Sequence, residues 1–163
     1  MVRRTFLAGL LAVVAAAVPA RAWAQADVGA VGDILVVVPA DLDTEALTRS
    51  ELRELVLGNR RFWRSGLRVE LVIASSPSPE RRMFVERLSA MSELQFQQYW
   101  IGQVFRGRAS SAPRAAPDRA TALALVAALP GAIALVPAGE VPPTLRVLSI
   151  DGRLPGDPNY PLR

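Results

Sequence analysis

The chain has 163 residues, 51% of them apolar and 21% charged, a balance that suits one modest globular domain and excludes a disordered tail or a multi-domain enzyme. All 19 basic residues are arginine, set against 15 acidic ones, and histidine and cysteine are both absent. Without those two residue types there is no Ser-His-Asp or Cys-His nucleophile, no zinc site of the His/Cys kind, no His- or Cys-ligated haem, no cysteine-held iron–sulfur cluster and no disulfide.

Arg3 and Arg4 precede an apolar run from Phe6 to Val18, followed by Pro19 and the small residues Ala22, Ala24 and Ala26. A basic start, a short apolar core and an A-x-A-like site predict a cleaved export signal over residues 1–26, with residues 27–163 as one α/β domain. The run is shorter than the ~20 residues a membrane span needs, so no span is expected once the signal is removed. Arg3-Arg4-Thr5-Phe6-Leu7 also fits the twin-arginine pattern, leaving that route and the general secretory route both open. The predicted compartment is the periplasm. The signal carries Arg3, Arg4 and Arg21 and no acid, so the remainder is close to neutral and offers no electrostatic case for nucleic acid.

Ile34 to Val38 is a short apolar β-branched run that reads as a buried strand. Asp41, Asp43 and Glu45 read as an exposed acidic loop, since they lack the glycine turn and distal glutamate of an EF-hand. Thr48-Arg49-Ser50-Glu51 matches a capping box, Leu52, Leu55 and Val56 follow at helical spacing, and Gly58 stands where the helix should stop. A loop from Arg60 to Gly66 carries Phe62 and Trp63 among Arg60, Arg61 and Arg64. Alternation from Leu67 to Ala74 predicts a second strand, closed by a Ser/Pro turn at 75–79. Helices are predicted over 80–91, with Phe84, Leu88 and Met91 on one face, and over 93–105, with Phe96, Tyr99, Trp100, Val104 and Phe105 apolar.

Residues 106–117 read as an aperiodic loop whose Arg106, Arg108 and Arg114 are available to acidic partners. Asp118 caps a helix to about residue 128, Pro130-Gly131 turns the chain, and strands are expected at 132–136 and 145–150, the second followed by an irregular tail. The alternation implies an α/β layered domain: a mixed, mostly parallel sheet of four to five strands, drawn from 34–38, 68–74, 132–136 and 145–150, with helices on both faces.

Several of these segments together resemble the periplasmic phosphate-binding proteins of ABC importers. Leu55 to Gly58 with Trp63 and Gly66 matches that family's apolar pair, Leu-Gly, tryptophan and glycine. Ser78 to Phe84 lies where the family has S-G-T-T ahead of a phenylalanine. Tyr99-Trp100 with Phe105-x-Gly107 resembles the Y-W…F-x-G segment, and Pro130-Gly131-Ala132-Ile133 with Val136 resembles the P-G-A-I-G-Y-V strand entry. The resemblance covers about one lobe of the usual two, and so implies a single lobe of a type II periplasmic-binding-protein-like fold, without catalytic residues, metal or cofactor.

In that family the S-G-T-T segment holds phosphate at a helix N-terminus, where free N–H groups and the helix dipole favour an anion. Here Ser78 matches the serine, but Pro79, Glu80 and Arg81 occupy the next positions. Two readings of this turn stand side by side. In one, Ser75, Ser76, Ser78 and Arg81 receive phosphate or another small oxyanion, with Arg81 offsetting Glu80. In the other, Ser78 is an ordinary N-cap with Pro79 in the first helical position. The corresponding functions are a weak solute-binding module, or an envelope interaction protein that keeps the lobe and meets a protein partner through an apolar face near Trp63 or Trp100.

Overall fold

The structure is a computed structural model that describes residues 27–28, 32–44 and 46–163; the predicted export signal and Glu45 lie outside the described residues. In chain order the elements are β1 (Asp27–Val28), β2 (Ile34–Pro39), β3 (Ala46–Leu47), α1 (Arg49–Val56), β4 (Glu70–Ala74) and α2 (Pro79–Arg82), which runs into a π-helical stretch over Met83–Leu88. Then come α3 (Glu93–Phe105), β5 (Arg114–Ala116), α4 (Arg119–Ala128), β6 (Ala132–Pro137), β7 (Gly139–Glu140), β8 (Leu145–Val147) and β9 (Ser149–Ile150).

The main sheet has five strands in the order β5-β4-β6-β2-β8. β4 is parallel to both β5 and β6, while β2 is antiparallel to β6 and β8, so β2 runs against the other four. β2 and β6 are continuous apolar runs because both faces of the sheet are covered. Period two sends Val36, Val38, Ile73, Ile133 and Leu135 to the face under α1, the π-helical stretch and α3. Leu35, Val37, Val72, Ala132 and Ala134 go to the opposite face, under Ala122, Leu123 and Val126 of α4.

Helix starts follow their local chemistry. Thr48 Oγ1 accepts from the Glu51 N–H at 3.1 Å while Glu51 accepts from the Thr48 N–H at 2.9 Å, so the capping box is formed. The Thr48 N–H first, and the Thr48 hydroxyl second, which donates to Glu51 Oε2 at 3.1 Å, hold the Glu51 carboxyl below the usual carboxylate range. Asp118 caps α4 by accepting from the Thr121 N–H at 2.7 Å. Gly131 is needed at its turn: its φ is +75° and a Cβ there would lie 2.2 Å from the Arg68 carbonyl oxygen. The same residue's carbonyl accepts the indole N–H of buried Trp63 at 2.8 Å, tying the 60–66 loop to the entry of β6.

The structure departs from the sequence reading in three places. The strand predicted over 145–150 divides: β8 joins the main sheet, the Leu148 N–H bonds to the Val36 carbonyl at 2.9 Å, and β9 pairs with β3 in a separate two-stranded parallel sheet. The segment predicted as a loop over 106–117 contains β5, whose order comes from pairing with β4. The helix predicted over 80–91 starts at Pro79 and widens to π geometry, which puts Met83, Phe84, Val85 and Leu88 all in the core.

The tail is irregular, as read, yet anchored. Tyr160 and Leu162 are buried, the Tyr160 hydroxyl donates to the Ile34 carbonyl at 2.9 Å, and the Ile34 N–H donates to the Leu162 carbonyl at 2.8 Å. Burial first, and the charge of Asp33 second, push the Tyr160 hydroxyl pKa upward. Fully buried Asp33 receives the Gly156 N–H at 2.6 Å and lies 3.3 Å from Arg163 Nε.

Candidate anion-binding site

β4 ends where Ser75 donates its N–H to the Ala116 carbonyl at 2.8 Å, and Pro77, having no N–H, cannot extend the ladder. The Ser76–Pro77 peptide is cis. Ser78 is extended (φ −151°, ψ 156°), its Oγ accepts from the Arg81 N–H at 3.0 Å, and Pro79 takes the first helical position. The Ser78 carbonyl accepts from the Arg82 N–H at 3.1 Å. With Pro79 lacking a donor, the Glu80 N–H remains as the donor of that turn which these bonds do not engage.

Ser75, Ser76 and Ser78 line one cavity of about 420 Å³ at the carboxyl ends of β4 and β6. Its other wall is the start of α4, where Asp118 and Arg119 stand. The charges there are already matched internally. The Thr121 backbone N–H holds the Asp118 carboxyl below its ordinary range, and Arg119 donates to the carbonyls of Pro137 at 3.1 Å and Glu140 at 2.5 Å. Glu80 also lines the cavity and brings a second carboxylate to it.

Arg81 does not line that cavity. It lines a neighbouring hollow of about 180 Å³ together with Ser76 and Ser78, so Ser78 stands between the two spaces. Its guanidinium is bidentate to Glu93, Nε to Oε2 at 3.0 Å and Nη2 to Oε1 at 2.5 Å, lies 5.4 Å from the centre of the Phe96 ring, and is only 11% exposed. The hydrogen bond from Arg81 is the main reason the Glu93 carboxyl sits below the usual carboxylate range. The structure thus brings the three serines together and holds Arg81 beside Ser76 and Ser78, with its guanidinium in an ion pair to Glu93 that sequence reasoning missed. Nothing in the spacing of Arg81 and Glu93, on different helices, signals the pair.

The remaining candidates fall elsewhere. Trp63 and Trp100 are core residues, whereas Phe62 is 54% exposed. Arg60 lies over the Trp63 ring at 5.9 Å and 3.6 Å from Glu51, and Arg61 donates to the Arg108 carbonyl at 3.1 Å. Among the described residues no three or more of His, Cys, Asp and Glu cluster as a metal site would need, and no helix is long and apolar enough to cross a membrane. The arrangement at the serine turn gathers hydroxyls, a backbone donor and a nearby guanidinium, groups of the kind that can donate hydrogen bonds to a polar or anionic group.

No family model and no curated protein matches the sequence. Solved structures do match its fold. A phosphate ABC transporter substrate-binding protein with bound phosphate from Clostridium perfringens aligns with a TM-score of 0.59 at 14% identity, over 74% of this chain and 45% of that one. An ABC-type phosphate transport receptor from Vibrio cholerae aligns at 0.57 and 14%, over 74% and 47%. PstS from Borrelia burgdorferi aligns at 0.58 and 10%, over 78% and 51%. The chain spans about half the length of these solved proteins. At this identity the likeness is one of fold: the described residues share the architecture of a single lobe of a periplasmic-binding-protein fold.

Proposed function

We propose that this chain is a solute-binding module of the phosphate-binding kind, not an enzyme, which takes phosphate or a similar small oxyanion at the Ser75–Ser78 turn. The observation that carries the reading is the place of that turn. Three serines gather at the carboxyl end of a parallel strand and the start of a helix, in a fold shared with proteins described as phosphate receptors. Crevices at the carboxyl ends of parallel strands are where open α/β sheets take ligands.

On this reading the ion sits beside Ser78, between the start of α2 and Arg81. Its affinity is low for three reasons. One lobe leaves the ion open to water, which screens every charge around it. Glu80 repels it. Glu93 holds the guanidinium that would otherwise receive it. The compartment that goes with this function is the periplasm, reached by cleavage near Gln25 or Asp27; N-terminal sequencing of the native protein that returned Met1 or Val2 would remove that part of the reading.

Calorimetric titration with phosphate and with sulfate tests the site. Glu80→Gln and Glu93→Gln are each expected to tighten binding, the first by removing a like charge and the second by releasing Arg81, whereas Arg81→Ala is expected to abolish it. If wild type and both glutamine variants stay silent at millimolar anion, the solute-binding reading fails.

A further inference from the structure

An opening larger than the one at the serine turn lies elsewhere on the described surface. A groove of about 640 Å³ runs between α3 and β5, with Ile73, Phe96 and Trp100 as its floor and Ile101, Val104 and Phe105 along one side. Phe105 is 91% exposed and Ile101 69% exposed, an unusual outlay of apolar surface beside a concavity. The other side is Ala112, Pro113 and Ala115, and β5 is the last strand of the sheet on that side, so among the described residues its outer edge has no neighbouring strand.

Charge next to the groove says what fits it. Trp100, Ala112 and Pro113 also line an adjoining cleft that carries Arg60, Arg61 and Arg68. Glu70 is the one carboxylate among the residues lining these two openings, and it is bonded to Arg114 at 3.4 Å. The combined surface is therefore apolar at one end and cationic at the other. A second copy seated on it by a two-fold axis would bring two arginine-lined clefts to one interface without a matching acidic patch. A lipid surface is flat, whereas this groove is walled on both sides and ends at a strand edge.

We infer that the groove and the arginine cleft form one docking surface for an acidic, apolar-anchored segment of another protein, added as an extended strand to the free edge of β5. Strand addition supplies backbone hydrogen bonds, and alternate side chains of the added strand meet Ile101, Val104 and Phe105 under the overhanging face of α3. Its acidic residues reach Arg60, Arg61 and Arg68. Arg81 lines both this groove and the hollow at the serine turn, but the docking surface is argued from α3, the edge of β5 and the arginine cleft, and does not rest on the anion reading.

The probe is a short labelled peptide of alternating valine and threonine that ends in a run of aspartates, titrated into the mature protein by fluorescence anisotropy. It is expected to bind, and Phe105→Ser and Ile101→Ser are each expected to weaken it about tenfold or more while far-UV dichroism and thermal unfolding stay unchanged. Arg61→Glu should weaken it by a similar factor. The same peptide ending in lysines, or carrying N-methyl groups on alternate amides, should fail to bind. Equal binding of the lysine version overturns the charge match, and equal binding of the N-methylated version overturns strand addition. No binding of the aspartate peptide overturns the proposal outright. Two further results do so as well: a dimer in sedimentation that Phe105→Ser dissolves, or binding to phosphatidylglycerol vesicles in place of the peptide.

Discussion

The serine turn after β4 and the groove beside α3 differ in how far their groups are already satisfied. At the turn, Ser78 caps its own helix, Arg81 is clasped by Glu93, and Asp118 and Arg119 are bonded to backbone. At the groove, Phe105 and Ile101 stand in solvent beside a strand edge. A ligand at the turn must displace internal bonds, so its net gain is small even where the chemistry fits. A ligand at the groove covers surface that has no partner within the described residues, and each covered apolar area contributes in full. On the proposed readings, the turn would be a polar site of low affinity and the groove an apolar surface with more to gain from a partner.

The largest effect expected from this contrast lies within α3. Trp100 is buried and meets Phe96 and Tyr99 edge-on, so Trp100→Ala should cost about 3–5 kcal/mol in urea unfolding. Phe105→Ser, five residues further along the same helix, should stay within about 0.5 kcal/mol of wild type because its ring already sits in water. Similar losses for both would mean that Phe105 is packed, and the contrast between core and groove would break.

Next in size is Ser78→Ala. It removes the acceptor that caps α2 and should lower stability by about 1 kcal/mol, with or without phosphate in the buffer. An unchanged urea midpoint would mean that the hydroxyl is not occupied by its own helix, and is freer for ligand than the geometry says.

The smallest effect is a pH dependence. The Glu93 carboxyl is held below its unfolded value chiefly by the hydrogen bond from Arg81, so the stability it contributes is present above the ordinary carboxylate range. That contribution is lost as pH falls through the lowered folded pKa. Urea midpoints measured from neutral to acid pH should fall less steeply for Glu93→Gln than for wild type. Parallel curves would show that the Arg81–Glu93 pair does not persist in solution.

Much of the scaffold was legible in the residues. Ile34 to Val38 and Ala132 to Val136 read as strands from their short apolar runs, and Thr48 with Glu51, and Asp118, announced their helices through side-chain chemistry that acts within three residues. What escaped was decided at a distance. β5 is three residues, Arg114 to Ala116, with no alternation of its own, and exists because β4 lies beside it. The division of 145–150 depends on where β3 lies, and the exposure of Val104 and Phe105 depends on what packs against α3, which helical spacing does not carry. At the turn, the capping role of Ser78 could be read from Ser-Pro-Glu, whereas the capture of Arg81 by Glu93 joins two helices and leaves no local mark.

The most direct measurement of the oxyanion reading is a phosphate titration followed by amide chemical shifts of the protein, with the Arg81 side-chain N–H included. The expected result is saturable shifts greatest at Ser76, Ser78, Glu80 and Arg81, which grow in Glu93→Gln. Shifts confined to the Arg60, Arg61 and Arg68 cleft, or none at the turn in either protein, would contradict it.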